Sequence, residues 1–180
     1  MANTCCTDFR VICNKDFVDK IEALFNNADG KFYKSVSVSE VLTYLGVEPE
    51  EGYSLRGSWD LIDIDPDLND DTKFVISILE ESAWSATQTM AWIAEKYDIK
   101  YFFFEEECGC DIFVTNDEEG LFFPFRWRVY TDNDGEEYFA TLNKAISYIN
   151  NTLHTDYKTK EDTEDDERVC LNQIEVSNDL

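Results

Sequence analysis

Positive charge is scarce in this sequence. Its 180 residues carry 15 lysines and arginines against 39 aspartates and glutamates, a formal net charge of −24. Direct nucleic-acid binding needs a basic footprint to neutralise phosphate, and the sequence has none. Such acidity repels phosphate and anionic membrane and attracts basic surfaces on proteins. Glycine is scarce too, at 7 residues, and no phosphate-cradling glycine loop appears. The one histidine, His154, ends a helical pattern, where it suits the last helix carbonyls better than a catalytic base. There is no Gly-x-Ser-x-Gly and no Cys/His pair at a strand end. An enzyme is therefore not expected, and neither is a cofactor. No apolar run reaches membrane-spanning length. The opening MANTCCTDFRVIC lacks the basic start and long apolar core of a signal peptide. These absences point to a cytoplasmic protein with no membrane partner. The 6 cysteines (Cys5, Cys6, Cys13, Cys108, Cys110, Cys170) are then expected as free thiols.

Two metal readings fail on spacing. Cys5-Cys6 and Cys108-Gly109-Cys110 lack the Cys-x-x-Cys spacing of zinc knuckles and have no histidine nearby. Asp63, Asp65 and Asp67 match the first alternating carboxylates of an EF-hand loop. Leu68 then stands where the turn needs glycine, and Phe74 where a bidentate glutamate is required. A solvated acidic loop is the expectation, with no metal.

What the chain does hold is apolar material: 43% of residues are hydrophobic and 14% aromatic, enough for a core. The organising stretch is Thr72 to Glu107. Phe74 to Leu79 reads as a strand, and Trp84-Ser85 stops it. Ser85 and Gln88 have capping-box spacing, and Met90, Ile93, Ala94 and Tyr97 form a helical stripe. Ile99 to Phe104 is a second strand. The short crossover favours two parallel strands with the helix on one face.

Upstream, Asp8 to Cys13 reads as a strand, Asn14 as an N-cap, and Lys15 to Asn26 as an amphipathic helix. Ser39 is the expected cap of a short helix, Glu40 to Leu45, with Gly46 as its C-cap. Leu55 to Ile64 contains a strand with Trp59, Leu61 and Asp63 on one face, and Asp60, Ile62 and Ile64 on the other. Downstream, Asp111 to Thr115 and Phe122 to Tyr130 read as strands, although Pro124 argues for an edge or bulge. Asn133-Asp134-Gly135 is a hairpin turn before a short strand at Tyr138 and Phe139. Thr141 caps a last helix carrying Leu142, Ala145, Ile146, Ile149 and Leu153. From Thr155 the composition turns charged and nearly free of apolar residues, although Val169 to Val176 has strand character.

Strand–helix–strand twice over is the order of the ferredoxin-like α+β sandwich. The expected fold is thus α+β: a βαββαβ core, an antiparallel sheet with helices on one face, and extra C-terminal strands and a helix. Residues 1–154 form the domain and 155–180 an acidic, mobile tail. Trp84, Trp92, Tyr101, Phe102, Phe103 and Phe104 have the ring faces that a base-stacking sheet needs. Their acidic neighbours oppose phosphate, so these aromatics are assigned to the core.

Particular residues also carry a family likeness. The opening MANTC, Gly57-Ser58-Trp59-Asp60, Ser82-Ala83-Trp84-Ser85 and the acidic-aromatic strand Tyr101 to Glu107 resemble the YubB-type proteins of bacterial plasmids and phages, which have a ferredoxin-like domain. Ala86 and Thr87 stand where that family has two prolines. The likeness covers roughly the first two-thirds of the chain. It implies a mobile-element accessory protein and carries over no catalytic residue.

The functional expectation is an acidic accessory protein that acts by protein–protein binding. It would inhibit a basic, nucleic-acid-handling host or defence protein by charge mimicry. The candidate contacts are Asp65, Asp67, Asp70 and Asp71 in the acidic loop, and Glu105, Glu106 and Glu107 at a strand end. The alternative is a small-molecule-sensing or regulatory domain without catalysis, its pocket lying between sheet and helices.

Overall fold

The computed structural model describes residues 4–27, 35–53, 55–67, 70–83, 87–110 and 112–177. The chain is mixed α+β, with mostly antiparallel strands, and divides into two compact units, Met1–Ile112 and Phe113–Asp179. Among the described residues, no helix is long and apolar enough to cross a membrane.

The first unit runs β1 (Cys5–Asn14), α1 (Lys15–Asn27), β2 (Ser35–Ser37), α2 (Val38–Leu45), β3 (Gly57–Pro66), β4 (Lys73–Ser82), α3 (Thr87–Tyr97) and β5 (Lys100–Glu107). Its strands lie in the order β5-β1-β4-β3-β2, with every neighbouring pair antiparallel. The strands joined by α3, β4 and β5, do run parallel to each other. They are not hydrogen-bonded neighbours, because β1 lies between them and opposes both.

Alternation along β1 sorts the sheet into two faces. Cys5, Thr7, Phe9, Val11 and Cys13 are all buried, while the residues between them are half-buried. Phe9 sits opposite Ile78 on one side and Phe103 on the other, which makes an apolar row. The helices contact one another: Phe17 of α1 lies 5.1 Å from Tyr97 of α3, whose hydroxyl donates to the Leu45 carbonyl of α2 at 2.8 Å. They form one layer on the Phe9 face.

Asn14 accepts from the Phe17 N–H at 3.0 Å, as its N-cap role requires. The second helix starts earlier than expected. Ser37, not Ser39, is its cap, and Glu40 closes the box by accepting from the Ser37 N–H at 3.1 Å. Gly46 ends that helix in the left-handed region at φ 63°. The corner expected at Trp84 and the cap at Ser85 lie outside the described residues.

β3 departs from simple alternation. The register of β3 on β4 shifts between Leu61 and Asp63, leaving Ile62 as an extra, 61% exposed residue. Such a bulge flips the face of everything after it. Asp63 and Asp65 therefore share a face with Asp60, whereas uninterrupted alternation puts Asp63 beside Trp59.

The second unit holds β6 (Ile112–Thr115), β7 (Trp127–Thr131), β8 (Gly135–Phe139), α4 (Leu142–Leu153), β9 (Val169–Gln173) and β10 (Glu175–Val176). β7 is central between β8 and β9, both antiparallel to it, while β10 pairs parallel with β6. Val129, Ala145, Ile146, Ile149, Leu153 and Leu171 form its core. Thr141 caps α4, and His154 closes it in the left-handed region at φ 55°.

Two expectations change here. The strand expected over Phe122 to Tyr130 begins only at Trp127. Before it, the N–H groups of Leu121, Phe122 and Phe123 bond to the Asp117 carboxylate and not to a strand. The boundary expected at residue 154 also falls elsewhere. Residues 155–177 contribute a turn at Glu161–Thr163, β9 and β10, and Tyr157, Val169 and Leu171 pack into the second core. A charged average over this segment concealed those few apolar anchors.

Candidate functional site: a buried carboxyl row and an acidic sheet face

The helix-covered face of the first sheet is not apolar throughout. One row across four strands reads Trp59 (β3), Glu80 (β4), Thr7 (β1) and Glu105 (β5), each directly opposite the next. All are buried, with exposures of 0%, 2%, 0% and 6% in that order. The Trp59 indole Nε1–H donates to Glu80 Oε2 at 2.5 Å, and the Thr7 hydroxyl donates to Glu105 Oε2 at 3.3 Å. Gly57, one pleat from Trp59, makes room for this row. A Cβ there would sit 2.9 Å from the Glu81 carbonyl oxygen and 3.1 Å from Glu80 Oε1.

Burial pushes the Glu80 carboxyl up to about 8, against the lowering pull of the Trp59 hydrogen bond, and the charge of Glu105 adds to the rise. Burial, then Glu105, pushes the Cys5 thiol up to about 12. Tyr53, hydrogen-bonded with Thr89 of α3 and packed edge-on against Trp92 at 4.8 Å, is raised by burial and then by Glu80. Cys5 is thus an unreactive thiol at neutral pH.

The opposite face carries the exposed acid. Asp60, Asp63 and Asp65 of β3 share this face with Glu81 of β4, Asp8 of β1 and Glu106 of β5. Asp63, Asp65 and Glu81 are exposed, and Asp8, Asp60 and Glu106 half-buried. Arg10, Lys73 and Lys100 share this face and are partly engaged. Arg10 pairs with Asp8 at 3.6 Å, Lys73 with Asp70 at 3.7 Å, and Lys100 lies 4.5 Å from the Phe102 ring centre.

The acidic contacts expected from sequence are distributed differently. Asp65 belongs to the acidic face. Asp67 is half-buried and its N–H closes the β3–β4 turn on the Lys73 carbonyl at 2.9 Å. Asp70 structures that turn, accepting from the Thr72 hydroxyl at 2.6 Å and its N–H at 3.0 Å, which holds its carboxyl below the usual range. Asp71 is exposed. Glu106 faces the opposite way from Glu105 and Glu107. Strand alternation buries Glu105, turns Glu106 to the acidic face, and sets Glu107 to accept from the Cys110 thiol at 3.1 Å. Sequence reasoning missed Asp8, Asp60, Glu81 and Glu80. Their signal is cross-strand register, which a single strand's pattern does not contain.

Phe102, Phe103 and Phe104 are buried, in keeping with a core assignment, and Trp92 is half-buried. Two surface clefts accompany these features. One, of about 360 Å³, lies between α1 and α2 at Leu24, Ser39 and Tyr44. The other, of about 280 Å³, lies at Thr4, Arg56, Gly57 and Ser82.

No protein-family model matches the chain, and neither a curated protein nor a solved structure matches it.

Proposed function

We propose that the chain is an acidic accessory protein of a mobile element that acts by binding a basic protein, without catalysis. The observation that carries this reading is the bulge at Ile62, which puts Asp60, Asp63 and Asp65 on one sheet face together with Asp8, Glu81 and Glu106. Carboxylates fixed on paired strands lose little freedom on binding, and their field steers a cationic partner. A basic, nucleic-acid-handling protein has the complementary surface, and blocking it by charge mimicry follows from that complementarity. A cytoplasmic setting suits such a partner.

The first unit fits a ferredoxin-like sandwich, with β2 and α2 as an insertion in its first crossover. The order β5-β1-β4-β3, with α1 following β1 and α3 joining β4 to β5, supports this. The YubB-type resemblance is in keeping with the buried place of Trp59 and the tight fit at Gly57.

The test is affinity capture from host lysate with the wild type and the D60K/D63K/D65K variant in parallel, at low and high salt. The reading requires a basic protein that the wild type retains, that salt elutes, and that the variant loses. Exposed charges are screened beyond about 10 Å at 0.1 M salt. Capture that ignores both salt and the reversed charges overturns it and favours the alternative, a sensor domain using a cleft such as that beside Gly57.

A further inference from the structure

The two buried carboxyls of the polar row have no part in a surface-binding function. Glu80 and Glu105 flank Thr7 on adjacent strands, one on each side. Neighbouring strands lie about 4.8 Å apart, so the two backbones are only about 10 Å apart, and both side chains are buried on the same sheet face. Burial disfavours the charge on Glu80, and the Glu105 carboxylate disfavours it further.

Among the described residues, the groups that act on Glu80 include no cation. From β3, Glu80 meets the Trp59 indole and the Gly57 backbone. From β1 come the Thr7 hydroxyl and the Cys5 thiol, and from β5 the like charge of Glu105, with Glu107 acting on Cys5. From the segment before β3 comes the Tyr53 phenol, itself tied to Thr89 of α3. Cys5, pushed up to about 12, and Tyr53, raised above its ordinary value, are neutral where Glu80 titrates.

We propose that Glu80 and Glu105, buried on either side of Thr7 with the Trp59 indole bonded to Glu80, together form a proton-binding site whose proton resides on Glu80. The Trp59 indole reports the release of that proton, since its N–H donates to the carboxyl that changes charge. A neutral Glu80 accepts one hydrogen bond and faces one negative neighbour. An ionised Glu80 puts two like charges beneath the helix layer, and the row formed by β3, β4, β1 and β5 is weakened at that end. The site thus makes the fold of the first unit sensitive to pH near 8, where burial and Glu105 set the Glu80 carboxyl.

Carbon-13 carboxyl NMR of glutamate-labelled protein, with the Trp59 indole N–H followed in parallel, tests this. The expected result is one glutamate, assigned to Glu80 by its loss in Glu80→Gln, with a midpoint near 8. The Trp59 indole shift should share that midpoint in the wild type and be flat in Glu80→Gln. Glu105→Gln should move the midpoint downward, because a like charge is gone while burial remains. If Glu80 titrates with the exposed glutamates near 4.3, the proton is not held. If Glu105→Gln leaves the midpoint in place, the site belongs to Glu80 alone. Either result overturns the proposal, and the wild-type titration decides the first point even if both variants fail to fold.

Discussion

Glu80 in the first unit and Asp117 in the second are both hidden from solvent, at 2% and 0% exposure, yet they resolve burial in opposite ways. Asp117 accepts N–H bonds from Leu121, Phe122 and Phe123 at 2.9, 2.6 and 2.8 Å. Burial raises its carboxyl, but those three donors and the nearby Arg126 together bring it below the usual range. Arg126 in turn bonds the carbonyls of Asp117, Glu118, Phe123 and Phe125, so the loop is tied from both ends of the charge. Glu80 has the Trp59 indole as donor and a second carboxyl as neighbour, and rises to about 8. Burial sets the cost of a charge; the number and sign of the groups aimed at it decide whether the charge survives. Asp117 therefore organises its loop as an anion, and Glu80 sits in the sheet as a neutral acid.

The comparison breaks most visibly at Asp117. Asp117→Ala leaves three backbone donors without their acceptor, at roughly 1–3 kcal/mol each with partial rescue by water, so a loss of about 3–5 kcal/mol is expected in urea unfolding. The lowered carboxyl also fixes the sign of its pH dependence. Its contribution is present above the unfolded value of 3.8 and disappears as pH falls through the folded one. The alanine variant should lose that acid sensitivity. A loss under about 1 kcal/mol, the low end for a single orphaned donor, would mean that the anion is not what holds residues 121–123.

Trp59→Phe should cost about 1–3 kcal/mol at neutral pH, for a buried acceptor left without its donor. It should also raise the Glu80 midpoint further, since the indole bond is the interaction pulling it down. A midpoint that falls in Trp59→Phe would contradict the assigned role of the indole. Thr7→Val, nearly isosteric, removes the donor to Glu105 and should cost about 1 kcal/mol. A Thr7→Val loss above about 3 kcal/mol, beyond the cost of one orphaned acceptor, would contradict this assignment.

Much of this was legible in the chain, and the boundary of legibility is physical. Alternation at Phe9, Val11 and Cys13 marks β1, and the stripes of α1 and α4 mark those helices with caps at Asn14 and Thr141. Local chemistry carries such signals. The bulge at Ile62 has no glycine or proline to announce it, and it turns Asp63 to the other face. The Thr7–Glu105 contact joins residues 98 apart in sequence, so it depends on register between strands and not on either strand alone. The run Phe122 to Arg126 alternates like a strand, but Asp117 has already taken the N–H groups a strand would need. Serines at 35, 37 and 39 offer the start of α2 three candidate caps, and Glu40 selects Ser37 by lying three residues on.

The most direct measurement is unfolding free energy against pH for the wild type and Glu80→Gln. In the folded state Glu80 is raised to about 8 from 4.5, so the native protein holds a proton that the unfolded chain releases. Its stabilising contribution is complete below pH 4.5 and is lost as pH rises to about 8. Over that window the wild type should fall relative to Glu80→Gln by about 1.4 kcal/mol per pH unit at most, with the difference levelling off above it. A difference between the two proteins that stays constant from acid to alkaline pH would contradict the account, because Glu80 would then hold no proton that folding protects.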